Sequence, residues 1–194
     1  MKKILIFLMI ICMSFNLVGC AYRKVTITDP RDYHKIETLP EIRDREALEV
    51  FPESIKEKDV DFFYFRWDLG LIGCASVEYQ LSIKYNETEF KKECDRIKNY
   101  RGERVYLEDD GERCVKEPLV YDNENFCLPA YVAVLGHNST SSYVLVDKEN
   151  KMVHYMYLCV LEKDDLHINR KYLPNDYCYF GTVPGLSYSI YEEV

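Results

Sequence analysis

Residues Ala75 to Tyr85 constrain the fold of this chain more than any others. Val77, Tyr79, Leu81, Ile83 and Tyr85 alternate with Glu78, Gln80, Ser82 and Lys84. Successive strand side chains point to opposite faces, so this period of two predicts an apolar face on a core and a polar face in water. A strand with one wet face belongs to an antiparallel sheet. Further strands follow from the same logic. Val60 to Trp67 is a short run rich in aromatics, with Gly70 and Gly73 marking a turn or bulge after it. Ala130 to Leu135, Tyr143 to Val146 and Met152 to Val160 are joined by Gly136–Ser142 and Asp147–Lys151, which are short enough to force an antiparallel meander. The last of these three is apolar on both faces, with Met152, Met156 and Leu158 opposite Val153, Tyr155, Tyr157 and Cys159. It should be central and covered on both sides.

The clearest helix begins at Asn86. Asn86 can cap it, Glu89 can reach back, and Phe90, Cys94 and Ile97 form one narrow apolar stripe that suits packing on a sheet. Gly102 should end that segment. Pro40 to Val50 is charged and suits a second, short helix with Ile42, Ala47 and Leu48 inward, stopped by Pro52. Asp109-Asp110-Gly111 reads as a hairpin turn between Val105–Leu107 and Cys114–Val115. Pro118 to Pro129 reads as irregular, the period is lost after Glu162, and Ser187 to Tyr191 suits a last short strand. The expected fold class is therefore α+β, a single domain over 48–194, with an antiparallel sheet of about five to seven strands and one main helix packed on one face.

The first residues are of a different kind. Lys2 and Lys3 precede an apolar run of fifteen residues, Ile4 to Val18, interrupted by Ser14 and Asn16, with no acidic residue before Cys20. As a helix that run would reach about 22 Å, short of the roughly 30 Å of a bilayer core, which predicts a removable export signal rather than a membrane span. The run closes on Leu17-Val18-Gly19-Cys20. Residues 1–20 thus resemble the signal of bacterial lipoproteins with its lipobox. The resemblance implies cleavage after Gly19, diacylglycerol on the Cys20 thiol, and a chain held at the extracytoplasmic side of a membrane by lipid. Two or more acyl chains anchor stably, at about 0.8 kcal/mol per buried methylene. Residues 1–19 would then be the signal, and 20–47 the lipidated N-terminus and tether, polar from Ala21 to Thr38 with Asp29-Pro30 breaking it.

Charge narrows the partners. Without Lys2 and Lys3, the formal charge falls from −8 to about −10, which argues against nucleic acid and against a basic patch on anionic lipid. Cys74, Cys94, Cys114, Cys127, Cys159 and Cys178 remain beyond Cys20. An exported chain permits disulfides among them, and each also suits a small buried hydrophobe. None forms the Cys-x-x-Cys pair of zinc or thioredoxin-like sites.

No catalytic, cofactor or metal motif is present. His34, His137, His154 and His167 lack a His-Glu-x-x-His spacing, and there is neither Gly-x-Ser-x-Gly nor a Gly-x-x-x-x-Gly-Lys phosphate cradle. His154 shares a strand face with Met152 and Met156, which reads as a core or interface histidine. Nothing selects Cys159 with His137 or His154 as a nucleophile and base. Asp109-Asp110, Asp122–Asn125 and Asp164-Asp165 read as solvated loops without calcium-loop spacing. Seventeen tyrosines, crowded toward Tyr172, Tyr177, Tyr179, Tyr188 and Tyr191, suit strand pairs more than a recognition face. The functional expectation is a membrane-anchored extracytoplasmic binding or envelope-interaction module with a protein or glycan partner. The alternative is a small exported hydrolase.

Overall fold

A computed structural model describes residues 23–39, 48–69, 75–108, 111–137, 140–159, 166–175, 177 and 188–190. Its strands, in chain order, are β1 (Arg23–Ile27), β2 (Val60–Leu69), β3 (Ala75–Lys84), β4 (Arg101–Glu108), β5 (Gly111–Pro118), β6 (Val120–Asp122), β7 (Ala130–His137), β8 (Thr140–Asp147), β9 (Met152–Cys159) and β10 (Tyr188–Ser189). Two α-helices are described, α1 (Tyr33–Glu37) and α2 (Glu87–Asn99). The main sheet runs β1-β2-β3-β9-β8-β7-β10, with β6 also on β7, while β4 and β5 pair only with each other. Every described pairing is antiparallel. Strands dominate, so the fold is mainly β. Among the described residues, the helical layer of the expected α+β domain comes down to α2 and the short α1.

The alternation in β3 does place Val77, Tyr79, Leu81 and Ile83 in a core, each at most 5% exposed. Phe63, Phe65 and Trp67 join them from β2, and Val153, Tyr155 and Tyr157 from β9. The cover on this face comes from α1 through Tyr33 and Ile36, from Val50 and Phe51, and from α2 through Phe90 and Ile97. Phe51 stacks on Tyr79 with ring centroids 4.5 Å apart. The narrow stripe of α2 thus lies on the sheet as its spacing predicts. Its start is set by Asn86, whose Oδ1 accepts from the Glu89 amide at 3.0 Å while its Nδ2 donates to Glu89 Oε2 at 2.6 Å. The return bond comes from the side-chain amide, a variant of the capping box.

The opposite face carries a second core of Val132, Tyr143, Leu145, Met156 and Leu158, roofed by Phe126, Leu166, Ile168, Tyr172 and Leu173. The chain at 166–175 thereby forms a strap across the sheet. This corrects the expectation for the polar side of β3. Glu78, Gln80 and Ser82 are 0%, 1% and 1% exposed, not in water. Only Lys84 is exposed. β9, between β3 and β8, is covered on both sides as its composition predicts.

Other expectations shift more locally. Residues 23–39 are built into the fold rather than forming a tether: β1 pairs with β2, and Tyr33 and Ile36 are 7% and 2% exposed. Gly102 lies inside β4, and α2 ends at Asn99. The β4–β5 hairpin is longer than its turn signal suggested. The stretch read as irregular contains β6 and buries Leu119 and Phe126. Residues 1–22, with Gly19 and Cys20, and residues 40–47 lie outside the described part, as do Cys74 and Cys178.

Candidate functional site

Two arrangements of polar groups stand out. The first lies on the helix face, where residues 49–56 and α2 leave a cleft of about 640 Å³ over the end of β3. That volume falls within the roughly 300–1,000 Å³ of small-ligand sites. A smaller recess of about 350 Å³, lined by Tyr33 and Tyr79 among others, adjoins it across Phe51 and Pro52. The segment dividing them is fixed: Phe51 is stacked on Tyr79, and Tyr33 donates its hydroxyl hydrogen to the Pro52 carbonyl at 2.5 Å.

One wall of the larger cleft is a chain of polar groups held by α2 and the sheet. Arg96 Nε donates to Glu93 Oε1 and Oε2 at 2.9 and 3.0 Å, and its Nη2 donates to Glu93 Oε1 at 2.6 Å and to the Val50 carbonyl at 2.7 Å. The buried Tyr155 hydroxyl donates to Glu93 Oε1. Tyr85 lies 3.4 Å from Tyr155, hydroxyl to hydroxyl. Burial pushes Tyr85 up to about 12, and burial, joined by the neighbouring Tyr85 and Glu93, pushes Tyr155 well above the usual phenol range. For Arg96, burial works against the charge, but the hydrogen bonds and charge of Glu93 outweigh it and raise the guanidinium above its ordinary value. All three groups hold their protons at neutral pH, whereas acid–base catalysis needs a group poised near the working pH.

The second arrangement lies under the strap. Glu78 Oε1 accepts from the backbone amides of His167 and Ile168, the latter at 2.8 Å. Its Oε2 lies 3.4 Å from Arg66 Nε and 3.2 Å from His167 Nδ1. Arg66, itself 8% exposed in its side chain, also reaches Asp68 at 3.3 Å. Tyr64 stacks on His167 at 5.4 Å. Further along β3, Gln80 Oε1 accepts from the Asn169 amide at 3.0 Å, and Gln80 Nε2 donates to Ser82 Oγ at 3.0 Å. Ser82 Oγ lies 2.8 Å from His154 Nδ1, and His154 stacks on Tyr172 at 4.0 Å.

The structure places the residues singled out in the sequence as follows. His154 is 1% exposed and in the core, as its face predicts. His167 joins Glu78 and Arg66, a grouping that no motif announced. His34 is exposed, and the side chain of His137 lies outside the described part. Cys159 Sγ accepts from Thr140 Oγ1 at 3.5 Å rather than facing His154, which points to the other side of the sheet. Cys94 and Cys127 carry free thiols. Asp122 spends its carboxylate on its own turn, accepting from the Glu124 and Asn125 amides at 2.8 and 3.0 Å. Among the described residues no cluster of His, Cys, Asp and Glu could hold a metal ion. Tyr172 and Tyr177 are buried, and the exposed large apolar side chains described are Val120 and Tyr121.

Sequence reasoning missed both arrangements. The cleft wall could have been sought in Glu93 and Arg96, which flank the α2 stripe. The strap left a trace only in Leu166, Ile168, Tyr172 and Leu173, which follow no strand or helix period. Compared with protein-family models, with curated proteins and with solved structures, the chain matches none.

Proposed function

We propose that this protein is a lipid-anchored, extracytoplasmic, non-enzymatic binding module whose ligand sits in the cleft between α2 and residues 49–56. The cleft wall of Arg96, Glu93 and Tyr85, with buried Tyr155 behind it, carries the reading. Its groups are locked in place, and those with shifted titration are shifted away from neutral pH. The remaining charges suggest the ligand's chemistry. Glu93 is matched by Arg96 and Glu89 by Lys56, leaving Glu49, Glu53 and Asp59 against Lys92. Beside Phe51, Tyr85 and Tyr100, that balance suits a cationic group on an apolar body. The anchor is taken from the signal-like leader and Cys20. With β1 starting at Arg23, at most about 11 Å of chain would separate the lipid from the sheet.

One preparation tests both halves. The full chain, expressed in a bacterial host, should incorporate labelled palmitate, and Cys20→Ala should abolish the label. Ligand-observed NMR should then show an arginine-bearing aromatic tripeptide binding, with Glu53→Lys weakening it about tenfold. Palmitate retained by Cys20→Ala would remove the anchor. A neutral trisaccharide binding where the tripeptide does not would remove the cationic ligand.

A further inference from the structure

The relay beneath the strap has a direction. The Asn169 backbone N–H can only donate, so Gln80 must turn its carbonyl oxygen to the strap and its NH₂ to Ser82. Ser82 Oγ then receives a hydrogen from Gln80 and keeps its own O–H for His154 Nδ1. Neutral His154 therefore carries its proton on Nε2. Nε2 has no hydrogen-bond partner among the described residues. The strap closes the imidazole from above through Tyr172, whose carbonyl is held by the Tyr143 hydroxyl at 3.1 Å.

We propose that residues 166–172 form an acid-released latch, with His154 sensing the proton and Ser82 and Gln80 connecting it to the strap backbone. The covalent change is minimal: a proton from solvent adds to Nδ1. The O–H···N bond from Ser82 then becomes N–H···O, and Ser82 faces two donors, Gln80 and His154. Its own hydrogen loses its acceptor in a place with almost no water, and an imidazolium stands there with an unpartnered Nε2–H. A buried charge and an orphaned donor both carry a large penalty. Lifting Tyr172 and Asn169 away from the sheet exposes both groups to water and removes it.

The charged groups around His154 do not cancel this. Asp147 on β8 and Asp61 on β2 favour the charged ring, and Lys171 of the strap opposes it. Burial, aided by Lys171, outweighs the two carboxylates and lowers His154 to about 4. Glu78, Arg66 and His167 form a separate cluster four residues along β3, which clamps the strap at its other end. In the opened strap the ring recovers its ordinary value near 6.5. The opening equilibrium should then rise about twentyfold between pH 7 and pH 5.

Hydrogen–deuterium exchange of the full chain, read by mass spectrometry and corrected for intrinsic rates, tests the latch. Peptides over 166–173 should lose about twentyfold of their protection between pH 7 and pH 5, while β8 and β9 keep theirs. In His154→Phe, which can still stack on Tyr172 but cannot titrate, the loss should shrink below about threefold. Three results overturn the proposal: unchanged strap protection in the native protein, an equal loss in His154→Phe, or a loss shared by β8 and β9. If His154→Phe does not fold, NMR of the native protein decides. His154 and the Ile168 and Asn169 amides should shift with one midpoint, and a ring that titrates while those amides stay still overturns the proposal.

Discussion

Replacing Glu78 with Gln asks the sharpest question of this fold. Glu78 is 0% exposed, and its carboxylate holds two strap amides while facing Arg66 and His167. Gln keeps an oxygen for the amides but removes the charge and turns a donor toward the guanidinium. Arg66, with an 8% exposed side chain, keeps Asp68 at 3.3 Å and the His167 ring at 2.9 Å but loses its most buried partner. Removing one partner of a buried pair costs about 3–5 kcal/mol, and the surviving Asp68 contact argues for the low end, about 3 kcal/mol. With a urea dependence of about 2 kcal/mol per M for a chain of this size, the unfolding midpoint should fall by about 1.5 M. Glu87→Gln is the internal standard. Its pair with Lys151 is at the surface, with the Glu87 side chain 77% exposed, and the midpoint should stay within about 0.2 M. If Glu78→Gln also stays within that margin, the polar side of β3 is wet, and the account of the strap fails.

Further substitutions and conditions probe separate parts. Phe51→Ala removes a ring stacked on Tyr79 and should cost about 3–4 kcal/mol by urea titration, since the flanking recesses leave nothing to fill the hole. Asn86→Ala deprives the Glu89 amide of its cap and should cost about 1 kcal/mol. Burial lowers His154 from 6.5 to about 4. Its contribution to stability is therefore complete above pH 6.5 and shrinks as the pH falls toward 4, by about 3 kcal/mol in all. Subtracting the His154→Phe stability curve from the native one should isolate that slope. Burial pushes the Cys94 and Cys127 thiols up, so both should alkylate more slowly at pH 7 than a peptide thiol, and exposed Cys127 should react before Cys94.

How far the fold could be read depended on whether the deciding information was local. β3, β9 and α2 were legible because an alternation, a two-sided apolar run and an Asn cap each lie within a dozen residues. The fate of Glu78, Gln80 and Ser82 was not. A period of two says that the faces of a strand differ, but not what covers them. Here the cover is a segment about ninety positions downstream. That segment attaches by backbone amides to side chains, not by a ladder, so it has no strand pattern of its own. The two-sided β9 did hint at it, since a central strand with apolar residues on both faces requires something on each. β1 was missed because Arg-Lys-Val-Thr-Ile is half polar and five residues long. Its place is decided by β2, whose outer edge needs a partner. In α2, Glu93 and Arg96 looked like part of a solvated helix face and became a cleft wall only once residues 49–56 lay beside them.

The seam between β3 and β9 also sets the order in which this molecule can be assembled. Val77 pairs with Cys159, about 80 residues later, so the middle of the sheet is a long-range closure of the slow kind. A chain emerging from its N-terminus can zip β1, β2 and β3 as soon as Lys84 is free. That three-stranded intermediate then waits, with one raw border and no roof, for the second half to arrive. During the wait, Arg66 on β2 already stands directly opposite Glu78 on β3, so this charge pair can form before its roof exists. The acid that later clamps the strap is thus set in place by its neighbouring strand first.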